Sequence, residues 1–343
     1  MIIGYFRPPP AQRIGGLEAA IDGMVQHLSA DGIEIQVDPS SITGLQAVHF
    51  HGLWQPHFQA LARECAAHRL PFVVSPHGML EPWAWRHRWW KKWPYYYLRE
   101  RSFLNAAARL LATSEIEARH LHRFRLKPPI VSLPLGASST QGVSYAQARA
   151  ALGWPEEEFV FLYLSRLHPK KGLHLLLAAL AELRLDGERH RLVVVGDGPA
   201  AYTRRLHAFG AKARTVLPPI DWLPAVWGEA KWTYLQAADL FCLPTHSENF
   251  GLAILEACQA GTPVLTTVQT PWATFLATHG LPVARPEKNS LVAALKTCLQ
   301  RGKSTAVQRC TLSAAALHRF GWETLRAEYH TMYRSLVLSS GLG

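Results

Sequence analysis

The chain has no uncharged apolar run approaching the roughly eighteen residues of a membrane-crossing helix. Cysteine is scarce: Cys65, Cys242, Cys258, Cys298 and Cys310 are scattered, and no two form a Cys-x-x-Cys pair. A zinc ribbon and a disulfide framework are therefore excluded, and a reducing, cytoplasmic setting is expected. The start, MIIGYFRPPP, lacks a charged segment before an apolar stretch, so no signal peptide is expected there. G-x-G-x-x-G is missing, and with it the dinucleotide fingerprint. No fixed-period repeat or low-complexity segment appears.

The 343 residues are 48% hydrophobic and 18% charged, a globular composition sufficient for about two domains. Lys and Arg number 36 against 25 Asp and Glu, a net charge of +11 with His neutral. The excess suggests an anionic partner: nucleic acid, a membrane face or a phosphate-bearing substrate. It is spread over both halves, +5 in residues 1–140 and +6 in 141–343. One cluster stands out. Between Trp83 and Arg101 lie six Lys or Arg, one Glu and eight Trp or Tyr.

Short apolar runs alternate with helical patterns. Residues 1–6, 48–50, 72–75, 110–112 and 130–133 read as buried strands, and 17–28 and 58–69 as helices. A Ser, Gly and Pro-rich stretch at 134–147 reads as a linker. A second series follows, with strands at 159–164, 191–195, 240–243 and 264–267 and helices at 173–183 and 252–260. Two such series predict an α/β protein of two doubly wound parallel-sheet domains, with a ligand at the carboxyl ends of the strands and in the cleft between domains.

Four motifs sit at predicted strand ends. THSENFGLAILEACQAGTPV (245–264) places Glu248 in a turn and Glu256 about five residues into a helix. Backbone N–H groups of Asn249, Phe250 and Gly251 lie at the mouth of that helix, which suits a ligand with an anionic middle and hydroxyl-bearing ends. The same carboxylates also fit an N-terminal helix charge and a solvated helix face. SRLHPKKG places Arg166, Lys170 and Lys171 in one loop, as a diphosphate clamp or as surface charge. Gly15-Gly16 lets backbone approach a ligand, or forms an ordinary tight turn. His51-Gly52 and His77-Gly78 each end a strand, and His77 suits a general base or a hydrogen-bond donor to a sugar as well as a structural imidazole.

With SRLHPKKG, VVVGDGP and the E-x7-E block in place, the chain resembles the retaining family-4 glycosyltransferases of GT-B fold, two facing Rossmann-like domains. SPHG, ATSEIEARHL, VSLPLGA and the tail FGWETLRAEYHTMY extend the resemblance over nearly the full length. It implies an acceptor-side domain at 1–140, a donor-binding domain at 141–322, and a last helix, about 323–343, returning to the first domain. It assigns the donor diphosphate to Arg166 and Lys171, the nucleotide ribose to Glu256 and the transferred sugar to Glu248. The Asn249–Leu252 backbone would lie close to the phosphates and sugar, the Gly15-Gly16 turn would bring the Gly16 amide to the diphosphate, and His77 would lie near the reacting centre. The implied partners are a nucleoside-diphosphate sugar and a glycan or lipid-linked saccharide acceptor, as in cell-surface polysaccharide or lipopolysaccharide synthesis. No cofactor or metal is implied, and the sequence has no Asp-x-Asp clamp for one. No dedicated nucleophile is evident. A nucleotide-sugar epimerase and a non-catalytic glycan- or membrane-binding protein remain alternatives on the same fold.

The segment EPWAWRHRWWKKWPYYYLRER (81–101) reads as an interfacial contact at the inner face of an anionic membrane, through Trp85, Trp89, Trp90, Lys91, Lys92 and Trp93. An acceptor-sugar platform and a helix packed on its own domain are the other readings. A single-stranded nucleic-acid groove has no further support in the chain, so no nucleic-acid partner is expected. Pro94 is expected to interrupt any single helix through the segment.

Overall fold

The computed structural model describes residues 1–10, 15–29, 32–87, 89–137, 143–185 and 189–339. The chain divides into two compact units, 1–138 with 320–343, and 139–319.

The first unit runs β1 (Ile2–Phe6), α1 (Gly15–Leu28), β2 (Glu34–Val37), β3 (Ala47–His51), α2 (Pro56–Ala67), β4 (Phe72–Ser75), α3 (Pro82–Arg86), α4 (Trp89–Tyr95), α5 (Arg101–Ala106), β5 (Arg109–Ala112), α6 (Glu115–His122) and β6 (Ile130–Ser132). Its parallel sheet has the order β2-β1-β3-β4-β5-β6. The central strands are covered on both faces, which is why they read as near-continuous apolar runs. Register pairs Tyr5 with His49 and His51 with Ser75, so these four share one face. On the opposite face Phe50 packs among Phe58, Phe72 and Phe103, with ring centroids 5.0–5.4 Å away. Buried Ala20, Ile21, Met24 and Leu28 form the inward stripe of α1.

The second unit runs α7 (Tyr145–Leu152), β7 (Phe159–Leu164), α8 (Leu173–Leu183), β8 (His190–Val195), α9 (Ala200–Lys212), β9 (Ile220–Leu223), α10 (Glu229–Ala237), β10 (Leu240–Leu243), α11 (Leu252–Gln259), β11 (Val264–Thr267), α12 (Ala273–Thr278), β12 (Val283–Ala284), α13 (Lys288–Arg301) and α14 (Ala306–Phe320). Its parallel order is β12-β11-β10-β7-β8-β9. Chain direction across the sheet reverses between β7 and β10, and the crevice beyond such a switch point is where open α/β sheets bind ligands. Arg149 and Asp239 form a buried ion pair at 3.0 Å, and Asp239 also accepts from the amide of Val160 and the hydroxyl of Tyr145.

The last helix, α15 (Trp322–Ser339), belongs to the first unit. Its Tyr333 hydroxyl lies 2.6 Å from the Tyr5 hydroxyl and 2.7 Å from Nδ1 of His49. Trp322 stacks on His27, 5.4 Å between centroids. A Cβ on Gly136 would stand 2.3 Å from the Trp322 indole, so glycine is required there.

Three expectations differ. The linker expected over 134–147 includes the start of α7, whose first turn is fixed by a Ser144/Gln147 capping box; residues 138–142 of that stretch lie outside the described residues. Gly15 and Gly16 are the first two residues of α1 rather than a turn before it. Pro94 lies inside α4, and the chain continues through a π-helical turn, Tyr96–Glu100, directly into α5. The π turn follows two residues after Pro94, and buried Glu100 anchors it by accepting from the Trp54 amide and the Gln59 side chain. Edge strands β2, β9 and β12 escaped the sequence reading, β2 and β9 having no fully buried residue and β12 only two residues, whereas edge strand β6, read at 130–133 as buried, has no fully buried residue either.

Gly136→Ala is expected to destabilise the protein by about 1–3 kcal/mol, because the buried indole cannot move away. That is a fall of several degrees in Tm by scanning calorimetry; an unchanged Tm would show that Trp322 yields.

Candidate functional site

In the second unit the loops after β7 and β10 meet at the switch point. Gly172 has φ +74°, and a Cβ on it would stand 2.0 Å from the Pro244 carbonyl oxygen. The Thr245 hydroxyl and the His246 amide both donate to the Lys170 carbonyl, at 3.0 and 2.7 Å. This contact brings Lys171 onto Glu248, Nζ to Oε1 at 2.6 Å, with both side chains largely buried. Burial alone would raise the Glu248 carboxyl, but Lys171 and Lys170 outweigh it and hold the group below its ordinary range. Glu248 is thus an anion.

Glu256, on α11, does not join Glu248. It accepts from Lys231 of α10 at 2.7 Å, and burial, opposed by that lysine, raises its carboxyl above the usual range. The site therefore holds two lysine–carboxylate pairs. Lys231 carries no signal in the sequence, because it lies 25 residues from Glu256 on a helix without a motif. Gly251, φ +87°, caps α11 beneath Trp272, whose indole N–H donates to the Phe250 carbonyl at 2.5 Å. Phe250 is buried and Asn249 half-buried, and Leu252 opens α11, where the first amides have no helical acceptor. Arg166 is exposed, follows β7 directly and has no acidic partner among the described residues. The Gly196-Asp197-Gly198 turn packs closely on the loop after β7. A Cβ at Gly196 or Gly198 would stand 2.0 Å from the carbonyl of Ser165 or Leu167, so these glycines seat the Arg166 loop.

In the first unit His77 follows β4 with φ +50°. Its Nε2 lies 3.1 Å from Nδ1 of His51, and the rings stack at 5.3 Å. His51 is fully buried, and its Nε2 has no hydrogen-bond partner. His49 bonds Ser75 Oγ through Nε2 at 2.7 Å. Burial pushes His77 down to about 4, and His49 and His51 well below their ordinary value. His77 is therefore a neutral imidazole at pH 7, suited to hydrogen bonding rather than to taking up a proton. A Cβ on Gly16 would meet nothing within 4 Å, so the chain's own packing does not explain that glycine.

The aromatic segment divides. Trp85 is half-buried against Tyr96 and Phe124, and Lys92 donates to the Ala84 carbonyl at 2.5 Å while lying 5.7 Å from the Trp54 ring, so these two serve the unit's own packing. Trp89, Trp90 and Trp93 are 57, 58 and 53% exposed, with Lys91 exposed beside them. Among the described residues no helix is long and apolar enough to cross a membrane.

Two family models match, Glycosyltransferase Family 4 over residues 42–140 and Glycosyl transferases group 1 over 144–308. A D-inositol 3-phosphate glycosyltransferase of Segniliparus rotundus is 28% identical over 249 residues, 68% of this chain and 54% of the relative. The chain thus spans about half the length of that curated relative. Among solved structures, sucrose-phosphate synthase from Thermosynechococcus elongatus superposes with TM-score 0.80 at 18% identity, covering 99% of this chain and 100% of the other. Anabaena HepE, in complex with UDP and glucose, gives 0.75 at 19% identity, covering 98% and 100%.

The histidine cluster makes stability pH-dependent. Above about pH 6.5 the three rings are neutral in both the folded and unfolded chain, and their contribution is complete. As pH falls below that, the unfolded chain takes up protons the buried rings refuse, down to the His77 value of about 4, so stability declines. Urea midpoints are expected to fall from pH 7.5 to pH 5, and less steeply in His51→Gln. Parallel slopes would remove His51 from the effect.

Proposed function

The chain belongs to the family-4 glycosyltransferases of GT-B fold, and on that premise we propose that it transfers a sugar from a nucleoside-diphosphate sugar to a glycan or lipid-linked saccharide, with retention and without a bound metal. The observation that supports this best is the loop junction at Gly172 and Pro244, which sets Lys171 on Glu248 at the mouth of α11, with Arg166 exposed in the loop after β7.

The difficult step is departure of the nucleoside diphosphate. Arg166, Lys171 and the first amides of α11 meet the charge that develops on the leaving phosphate. Charges fixed in advance stabilise the transition state most, because little reorganises during reaction. Glu248, kept ionised by its lysines, accepts from hydroxyls of the transferred sugar, and Glu256 from the ribose. The departing phosphate oxygen takes the acceptor hydroxyl's proton on the face it leaves, so the new bond forms with retention. In the first unit, His77 offers a neutral hydrogen-bonding imidazole and Gly16 a backbone with open space around it. UDP is the first nucleotide to test, because the similar HepE binds it.

UDP at ~100 Kd is expected to stabilise the protein by about 2.7 kcal/mol, with EDTA present or absent. Arg166→Ala and Lys171→Ala each should lose that shift and most turnover; an unchanged shift in both would refute the clamp. Product NMR should show the donor's anomeric configuration kept, and donor altered without acceptor would indicate an epimerase instead.

We further assign Trp89, Trp90, Lys91 and Trp93 to contact with an anionic membrane face, where indole rings lie at headgroup level and basic groups meet lipid phosphates. Wild type should sediment with phosphatidylglycerol vesicles, and the Trp89, Trp90 and Trp93 to Ser variant should remain in solution. Wild type left in the supernatant would end this reading.

A further inference from the structure

A cavity of about 590 Å³ opens in the first unit between α3–α5 and the end of α6. Arg86, Arg101, Arg123 and Arg125 line it, and no carboxylate does. Among the described residues, none of the four has an acidic partner. Four guanidinium groups around one concavity, without a counter-charge, create a field that an anion would relieve. Guanidinium forks also match phosphate oxygens in geometry.

The base of the cavity is rigid. Trp85, Tyr96 and Phe124 pack against one another with centroids 5.2–5.4 Å apart. Tyr96 is 2% exposed, yet its hydroxyl has no hydrogen-bond partner. Buried hydroxyls normally find one, so an orphaned donor in a cavity wall points to a missing acceptor. Nδ1 of His120, another lining residue, is also buried and unpartnered. Burial, with Arg123 and Arg119 nearby, lowers the His120 imidazole, which leaves it neutral with one N–H to give. Burial pushes the Tyr96 hydroxyl up to about 12, so it too remains a donor at pH 7.

Neither His77 nor His51 lines this cavity. Ser114 caps the start of α6, just after the carboxyl end of β5. His120, Arg123 and Arg125 come from the other end of that helix, roughly 12 Å further along at 1.5 Å per residue. The rim is formed by Trp93 and Tyr97, 53 and 52% exposed, beside exposed Trp89 and Trp90.

We propose that this cavity is a phosphate-binding site, separate from the donor clamp, which takes the phosphate of a lipid headgroup while the neighbouring indoles meet the membrane surface. The lipid as source rests on the membrane reading above; the phosphate chemistry rests on the cavity alone. Calorimetric titration of the full chain, with saturating UDP present, tests both. The probes are dihexanoyl phosphatidic acid below its micelle concentration, glucose 6-phosphate and inorganic phosphate. Wild type with UDP and Lys171→Ala without it should bind phosphatidic acid alike. Arg86→Gln with Arg125→Gln, at exposed positions that leave Tm unchanged, should weaken it about tenfold or more, and Tyr96→Phe should weaken it less. No binding of any probe, or binding that survives the double substitution, overturns the site. Glucose 6-phosphate bound as tightly as phosphatidic acid overturns the lipid source and leaves a soluble phosphate ligand. Trp89→Ser with Trp90→Ser should lose vesicle sedimentation yet keep phosphatidic acid binding. Wild type that binds the short-chain probe without sedimenting refutes the membrane reading and upholds the cavity.

Discussion

The second unit depends on a steric contact that admits no side chain. The Gly172 α-carbon lies so close to the Pro244 carbonyl that any Cβ would overlap it. Two loops that begin at neighbouring strands are thereby pressed together where strand order reverses. The hydrogen bonds from Thr245 and His246 to the Lys170 carbonyl follow from that proximity, as does the Lys171–Glu248 pair. Gly196 and Gly198 repeat the device from the next strand, with backbone seated on backbone beneath Arg166. A loop fixed by glycine contacts holds its charges with little freedom, as the proposed contact with a leaving phosphate would require.

The first unit solves a different problem. His49 and His51, with Tyr5 and Tyr333, are buried between the sheet and the last helix, and His77 lies partly exposed beside His51. Burying polar groups is costly unless they bond one another. Here the Tyr333 hydroxyl joins Tyr5 and His49, Ser75 serves the other nitrogen of His49, and His51 holds His77 in a left-handed conformation. The returning helix is thus tied through its hydroxyl to the strand end that carries His77. Burial that keeps the imidazoles neutral also makes the unit sensitive to acid.

The tryptophan-rich segment shows how one composition serves two ends. Trp85, Tyr96 and Lys92 face inward and support the π turn, while Trp89, Trp90 and Trp93 remain in solvent. A helix of this length cannot bury rings on every side.

Much of the molecule was legible in the sequence. The buried strands of both sheets announced themselves as apolar runs, since a strand covered on both faces has no polar side to show. Arg166, Lys171, Glu248 and His77 could be placed in loops after strands, because their motifs follow apolar runs, and Glu256 on the helix that comes next. Edge strands β2, β9 and β12 were not legible, being short or half-solvated, although edge strand β6 was. Nor was the pairing of Glu256 with Lys231, or of His77 with His51, because these partners meet only when separate strands and helices pack. By itself the sequence determined the α/β class, the two-unit plan and the positions of the charged loops, all of which follow from local periodicity and glycine placement. Only tertiary structure decided which lysine holds which carboxylate, which imidazoles lose their protons and which tryptophans face solvent, because each depends on burial and distance between residues remote in the chain.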